Sequence, residues 1–407
     1  MVRSRFKDSL LYLVLYMVFL TVFPAQLIPF KIRFPVIIVF LAIGTFYVAL
    51  MLTLKEIINE VFFCLMGVTL LSAINWHKGN ITLVDLIQCF IYYFGIILLY
   101  DVMMIFDKKG KGKELLESIF GILSLYTVLN MVSVAIIGTD DLHNLMYLFG
   151  NKFRVSYYII YLIGIGYCLH SERIRRNVVS KGLFVAVSVL AMIYMYYIRC
   201  KTGLVAVAFI LILALFLKRE YKIMSNVYFV LACTVAAGFI ILGFETILSI
   251  PFVQTIIRAL NEDVLLTGRT RIYSMYLFPL LSKAKWIGYG YGNTAMWTYS
   301  IAFANAQNGM FDYMLNNGII GLAFHLIIMF VELKKAEPSS QKYGLYLVLF
   351  AMIIISVVEV NYGAFMLMIV FLIRWYRPEK VVCLTAGRSE IEVYISDSKG
   401  IVKERAL

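Results

Sequence analysis

Three stretches of the chain carry residue types at spacings that chemistry can use. The first is Arg199-Cys200-Lys201-Thr202-Gly203, where two cations flank a cysteine in a polar turn that runs straight into apolar sequence. The second is Gly268-Arg269 with Arg271 beside it, followed after a gap by Trp286-Ile287-Gly288-Tyr289-Gly290-Tyr291-Gly292. The third is Ala306-Gln307-Asn308-Gly309-Met310-Phe311-Asp312, then Asn317-Gly318-Ile319-Ile320-Gly321-Leu322. Guanidinium forks and ammonium groups suit an anionic ligand, phosphate first among them. Around a departing phosphate they stabilise the developing charge, and that work does not oblige a metal. Amides and a carboxylate suit a hydroxyl-rich partner and its proton. Gln307 is neutral and cannot be a general base, which needs a group that titrates near the working pH. The proton would go to Asp312, to Glu359 at the end of a later apolar run, or to phosphate oxygens of the substrate. If 305–317 is helical, Asn305, Asn308, Asp312 and Asn316 fall on one polar face.

Composition dictates the scaffold that must hold these residues. The chain has 407 residues, 62% hydrophobic and 15% charged, against about 45–50% and 25% in soluble domains. Its mean hydropathy is +0.86. A water-soluble globule, a disordered chain and a disulfide-stapled secreted domain are excluded, which leaves a polytopic membrane protein. A spanning helix needs about 20 mostly apolar residues. Twelve runs qualify: 8–26, 34–54, 59–76, 82–105, 115–137, 155–170, 182–198, 203–217, 224–247, 318–332, 343–359 and 362–376. They are continuous rather than alternating and exceed the ~10-residue strand of an outer-membrane barrel, so they predict helices. The expectation is an all-α membrane domain over 1–376, with a large external loop over 248–317 and a cytoplasmic tail over 377–407. Arg3, Arg5 and Lys7 precede the first run and no small-x-small cleavage site follows it, so that run reads as an uncleaved signal anchor.

Lysine and arginine set the orientation. With a cytoplasmic N-terminus, 25 of the 37 basic residues fall inside and 12 outside, and both termini are inside. Lys31 and Arg33 are the mild discord. The net charge of +13 is therefore mostly a topological signature rather than a mark of a nucleic-acid partner. The outside cations gather. Lys152 and Arg154 sit at the mouth of the sixth run, and Arg199 and Lys201 fill the turn between the seventh and eighth. Arg258, Arg269, Arg271, Lys283 and Lys285 lie in the long loop. The positive-inside bias disfavours them there, and an external anionic ligand accounts for them. Solvation or snorkelling is the rival explanation, strongest for Lys283 and Lys285.

The remaining features argue mainly by exclusion. The cysteines have no metal-site spacing, and His77, His143, His170 and His325 share no motif, so no metal site is expected. The glycine run lacks the strand, helix and downstream acid of a dinucleotide fingerprint and reads as a tight, aromatic-flanked turn. Tyr289, Tyr291, Trp286 and Trp297 suit sugar faces or the membrane interface equally well. Ile391–Ser396 alternates like a strand.

Taken together, the three stretches resemble the O-antigen polymerase and ligase family, the Wzy and WaaL type of bacterial envelope proteins. That family shows a Ser-Arg/Lys-Thr-Gly-like turn, a Gly-Arg, a hydrophobic-Gly-x-Gly segment, and Ala-His-Asn with Gly-x-x-Gly ten residues after the Asn. Here Asn308 to Gly318 is ten residues and Gly318 to Gly321 is three. The motif resemblance covers roughly 195–335. It implies a GT-C-like helical membrane glycosyltransferase without cofactor, in the bacterial cytoplasmic membrane with its active face outside. The implied substrate is an undecaprenyl-pyrophosphate-linked oligosaccharide, transferred onto a growing lipid-linked chain by a polymerase or onto another acceptor by a ligase. Membrane lipid, a chain-length regulator and a flippase are the implied partners. Carried over by position, Lys201, Arg269 and Asn308 match the family's functional residues, and Gln307 stands where the family has His. The expected pyrophosphate ligands are Arg199, Lys201, Arg269, Arg271 and Arg154; Arg269, Asn308, Asp312, Gln307 and Glu359 are the expected catalytic set. A lipid-oligosaccharide flippase or other transporter is the rival class. It would favour intramembrane charges, for which Asp101, Glu245 and Glu359 are the candidates.

Overall fold

The computed structural model describes residues 2–139, 146–216, 221–243, 250–251, 254–255, 272–300 and 305–378, and three strands in the tail. Among these, twelve helices have at least twelve residues: α1 Val2–Val22, α2 Phe30–Met51, α3 Glu60–His77, α4 Leu83–Lys108, α5 Gly112–Ile137, α6 Lys152–Arg176, α7 Val178–Tyr197, α8 Lys201–Phe216, α9 Val227–Phe239, α10 Gly309–Lys335, α11 Tyr343–Ile355 and α12 Ala364–Trp375. Each of the twelve apolar runs coincides with one of them. Six, namely α2, α3, α4, α5, α7 and α10, are long and apolar enough to cross a membrane. The described part of 1–376 is thus helical, as a membrane solvent demands. Only a helix or a closed barrel satisfies every backbone group without water. The tail adds an antiparallel sheet of Val382–Ala386, Ile391–Asp397 and Gly400–Arg405, the middle strand covering the alternating stretch.

Local sequence sets the helix starts. Asn59, Asn151, Asn226 and Asn308 each accept a backbone N–H of the following turn. Thr82 and Asp85 form a capping box at the head of α4, with Thr82 N–H on Asp85 Oδ2 at 2.9 Å and Asp85 N–H on Thr82 Oγ1 at 3.2 Å. Such caps satisfy donors that a helix leaves open. α4, α11 and α12 form the bundle's centre and are buried over most of their length. α2 and α7 are peripheral: Phe46, Leu50, Leu190 and Ile193 face outward with at least 60% of their surface exposed. A broad apolar outer face of this kind marks contact with lipid.

The helix ends sort into two sets. Lys108 pairs with Glu56, Lys335 with Glu60 at 3.0 Å and Arg377 with Asp107 at 2.6 Å, which ties together the turns predicted to lie inside. The turns predicted to lie outside are bound to one another instead. Gln26 N–H reaches Leu148 O at 2.6 Å, Thr202 reaches Glu359 at 3.2 Å, and Asn308 reaches Val357 O at 3.1 Å.

One boundary differs from expectation. The tenth helix begins at Gly309, not at 318, so 309–317 belongs to the bundle rather than to a loop. Polar Asp312, Asn316 and Asn317 lower the hydropathy of that half and hide it from an apolarity count. Nor is 305–317 helical throughout. Asn308 is extended as the cap, which removes Asn305 and Asn308 from the expected polar face and leaves Asp312 and Asn316 one turn apart on it. Residues 248–249, 252–253, 256–271 and 301–304 of the long connection lie outside the described residues, and with them Arg258, Arg269 and Arg271; Glu245, near the end of the ninth apolar run, also lies outside them.

Candidate functional site

The site is organised around a break in α10. Gly318 has φ 68°, in the left-handed region, inside an otherwise continuous helix. A break in a buried helix frees carbonyls before it and N–H groups after it, and these must find partners. The segment 285–290 supplies them. Tyr289 and Gly290 donate N–H to Leu315 and Asn316 carbonyls at 2.8 Å each, while Ile319 and Ile320 donate to Lys285 and Trp286 carbonyls at 2.8 and 3.1 Å. Asn75 of α3 donates to Ile287 O at 3.1 Å, and Ser72 Oγ accepts from Tyr291 N–H at 3.2 Å, so α3 clamps the same segment from the other side. Gly288, Gly290 and Gly292 all have positive φ, which is the tight turn the sequence suggested. Two of the sequence stretches therefore meet backbone to backbone.

Beside this junction lies a cavity of about 190 Å³, walled by α1, α4, α6, α10, Tyr291 of the glycine turn and the α11–α12 turn. Two predicted site residues line it, Arg154 and Asp312. Asn316, Asn317 and Asn361 add amides, and Tyr92, Tyr157 and Tyr362 add aromatic walls. Asp312 is fixed by two bonds: Oδ1 accepts Ala306 N–H at 3.1 Å and Oδ2 accepts Asn316 Nδ2 at 3.1 Å. Arg154 acts electrostatically on Tyr92, Tyr157 and Tyr291. Burial and the nearby Tyr92 push the Tyr291 phenol upward, which keeps it neutral, while Arg154 and Arg33 pull the other way.

Glu359 joins the site from the α11 end. It is buried, accepts the Thr202 hydroxyl at 3.2 Å and sits two residues before Asn361 of the cavity wall. Tyr157 of that wall feels both Glu359 and Arg154. The Lys201-Thr202 turn is thereby drawn to the carboxylate. Arg199 has φ 51° and caps α7: its own N–H bonds Tyr196 O at 3.0 Å and Cys200 N–H bonds Met195 O at 2.8 Å. That is the helix-terminating arrangement that normally recruits glycine.

Asn308 and Gln307 are placed differently from the cavity set. Asn308 is fully buried, with Oδ1 on Phe311 N–H at 2.9 Å and Nδ2 on the Val357 and Gly238 carbonyls at 3.1 and 3.4 Å. It welds α9, α10 and α11 and does not line the cavity. Gln307 has φ 48°; its N–H bonds Asn305 Oδ1 at 2.9 Å and its carbonyl accepts Tyr273 OH at 3.2 Å. Of the four aromatics singled out in the sequence, Tyr291 alone lines the cavity; Trp286 and Trp297 are exposed, and the Tyr289 hydroxyl bonds Leu280 O at 3.2 Å.

Sequence reasoning did not single out Asn361, between two apolar runs, or Tyr92, inside one, and it read Asn317 only as part of a motif. The position of Arg33 against the positive-inside pattern was the available signal for that residue. No family model matches the chain, and no curated protein matches it.

Proposed function

We propose that this chain is a metal-independent membrane glycosyltransferase that polymerises a surface polysaccharide, such as capsule, exopolysaccharide or O-antigen. It would be a twelve-span, GT-C-like protein of the bacterial cytoplasmic membrane. Its donor would be an oligosaccharide repeat on undecaprenyl pyrophosphate, and its acceptor a growing lipid-linked chain. The observation that carries this reading is the joint lining of one cavity by Arg154 and Asp312, with the Thr202–Glu359 pair beside it. A cation and two carboxylates around a polar, aromatic space are what glycosyl transfer from a phosphate needs.

In the reaction an acceptor hydroxyl attacks the anomeric carbon of the donor sugar. The bond from that carbon to the pyrophosphate oxygen breaks, and its electrons stay on the phosphate. Arg154 and Lys201 would meet that charge, joined by Arg199, Arg269 and Arg271. The hydroxyl proton passes to Asp312 or Glu359. Purified protein in liposomes, given lipid-linked repeats and no ion gradient, elongates them under this reading. In a deletion strain, Arg269→Ala leaves single-repeat chains; full-length polymer at normal protein levels overturns the assignment. Polymer accumulating on its carrier in the null strain would instead identify a ligase.

One observation favours a second reading, transport of a lipid-linked oligosaccharide. Asp101, His325 and Glu332 are each at most 1% exposed along α4 and α10, the sort of buried ionisable group that marks a transport path. Gradient-dependent movement of the lipid without elongation would select it.

A further inference from the structure

Trp286 and Lys285 do not line the cavity, yet their backbone is bonded into the seam at Gly318. That seam has a definite depth. α3 and α10 run antiparallel and in contact. Lys335 pairs with Glu60 at 3.0 Å at one end, and Phe324 packs over Gly67 with Leu71 beside Gly321 in the middle. At the other end Asn75 holds Ile287 O at 3.1 Å. From the charged pair to the seam is fifteen residues of α3 and seventeen of α10, about 23 and 26 Å at the helical rise. The hydrocarbon core of a bilayer is ~30 Å thick, and tilt only shortens the depth that a helix covers. With the charged pair at one edge of that core, the seam lies no farther than the other edge.

The surface of α3 places the same edge independently. Leu70 and Ile74 are exposed and apolar, exposed Trp76 follows, and then His77, Lys78 and Asn80 are exposed and polar. The change from apolar to polar surface falls at the level of Asn75, where the seam is. α10 agrees, because Ile319 and Ile320, whose N–H groups bond the Lys285 and Trp286 carbonyls, are exposed as well. Trp286 is 58% exposed at this level. Tryptophan is the residue that favours such a boundary, since its ring is apolar and its N–H is polar. Lys285 Nζ stands 5.5 Å over the Trp286 ring, and Lys283 Nζ stands 5.3 Å over that of Tyr299. The ammonium covers a face on which a sugar would stack. A lysine stem along an apolar layer lifts its charge to the level of lipid phosphates.

We infer that Trp76, Lys285 and Trp286 form an anchor for the phospholipid surface, set at the boundary between acyl chains and headgroups. The two indole rings lie in that boundary, and the Lys285 ammonium meets headgroup phosphate. This part of the long connection is therefore seated in the membrane surface rather than in the aqueous space beyond it. Tyr291 of the same turn walls the cavity, so the anchor also fixes the level of the cavity in the bilayer. The inference requires neither elongation nor transport.

The test is depth-dependent fluorescence quenching of the full-length protein in phosphatidylcholine nanodiscs. The lipids carry bromine high on the acyl chains, near the chain ends, or not at all, and acrylamide reports contact with water. The share of Trp286 is the parent signal less that of Trp286→Phe, and Trp76→Phe gives the share of Trp76 in the same way. High bromine lowers each share at least twofold and more than deep bromine does. Acrylamide quenches each share at least threefold less than it quenches free tryptophan amide. Trp286→Tyr replaces a Trp286→Phe protein that fails to fold. A Trp286 share that is untouched by bromine and open to acrylamide overturns the anchor. Shielding of that share from acrylamide by added maltoheptaose would assign the ring to a glycan instead and overturn it too. Stronger quenching by deep bromine would place the ring in the acyl core, which also overturns the boundary position.

Discussion

The backbone of Gly288 lies so close to Asn316 that a Cβ built on the glycine would stand 2.5 Å from the Asn316 carbonyl oxygen. The contact is reciprocal, since a Cβ on Gly318 would collide with the Trp286 carbonyl. Four backbone hydrogen bonds cross the same seam. A broken helix and a glycine turn therefore complete each other, and the first half of α10 is held at the angle that turns Asp312 and Asn316 toward the cavity.

This seam predicts an asymmetry between glycines. Gly318→Ala adds a methyl against main chain at a positive φ, and the combined strain and overpacking should cost about 3 kcal/mol or more. Gly121, in the middle of α5, has open space around its Cβ position. Gly121→Ala should be neutral or stabilising by up to about 1 kcal/mol. Thermal melting of the detergent-solubilised variants checks both. A Gly318→Ala protein that melts like the parent would show that the seam does not hold the fold.

Much of the fold was legible because the membrane is a harsh solvent. Twelve apolar runs became twelve helices. The break at Gly318 was not legible as such. It was visible as Gly-x-x-Gly, but its partner is a segment about thirty residues earlier, and only the tertiary hydrogen bonds reveal why both are rich in glycine. The site was half legible. Arg154, Asp312 and Glu359 stood out in the sequence as charges, whereas Asn361, a lone amide between two apolar runs, had no periodicity to betray it, and Asn317 was read only as part of a motif. Asn308 shows the converse. Its motif position suggested chemistry, whereas its side chain caps α10 and ties α9 to α11.

Arg199 offers a way to separate fold from function. It occupies a left-handed position that costs a non-glycine residue about 1 kcal/mol. Arg199→Gly relieves that strain and removes the guanidinium, so the melting temperature should rise while elongation falls at least tenfold. Unchanged elongation would remove Arg199 from the phosphate ligands, and no loss could be blamed on misfolding.

The carboxylates and Gln307 should rank clearly in a liposome elongation assay. Glu359→Gln keeps size and hydrogen-bonding capacity but cannot take a proton, so as general base its loss should lower kcat by about 10²–10⁴-fold. Thr202→Val removes the hydroxyl donated to Glu359 and should cost about tenfold, the scale of one hydrogen bond to a charged group. Asp312→Asn should reveal whether the two carboxylates share the task. Gln307→Ala should be the mildest, and complete inactivity of that variant would mean that the amide itself acts on the substrate. If Glu359→Gln retains most activity, the proton goes elsewhere.

Glu332 and Arg374, at the other end of α10 and in α12, give a prediction about the bundle alone. Arg374 Nε lies 3.6 Å from Glu332 Oε2, and Tyr100 OH donates to the same oxygen at 3.1 Å. The Glu332 side chain is fully buried, whereas Arg374 is 18% exposed, stacks on Trp375 at 4.4 Å and donates to Lys335 O at 2.8 Å. Removing the arginine strands a buried carboxylate with Tyr100, and the cost of breaking such a pair is about 3–5 kcal/mol. Removing the acid is milder, because the guanidinium keeps its carbonyl, its ring and some water. Arg374→Met should therefore lower the melting temperature more than Glu332→Leu, and the double variant should recover most of the loss by making the contact apolar on both sides. A double variant no more stable than Arg374→Met would mean that Arg374 acts through Trp375 and Lys335 rather than through the buried acid.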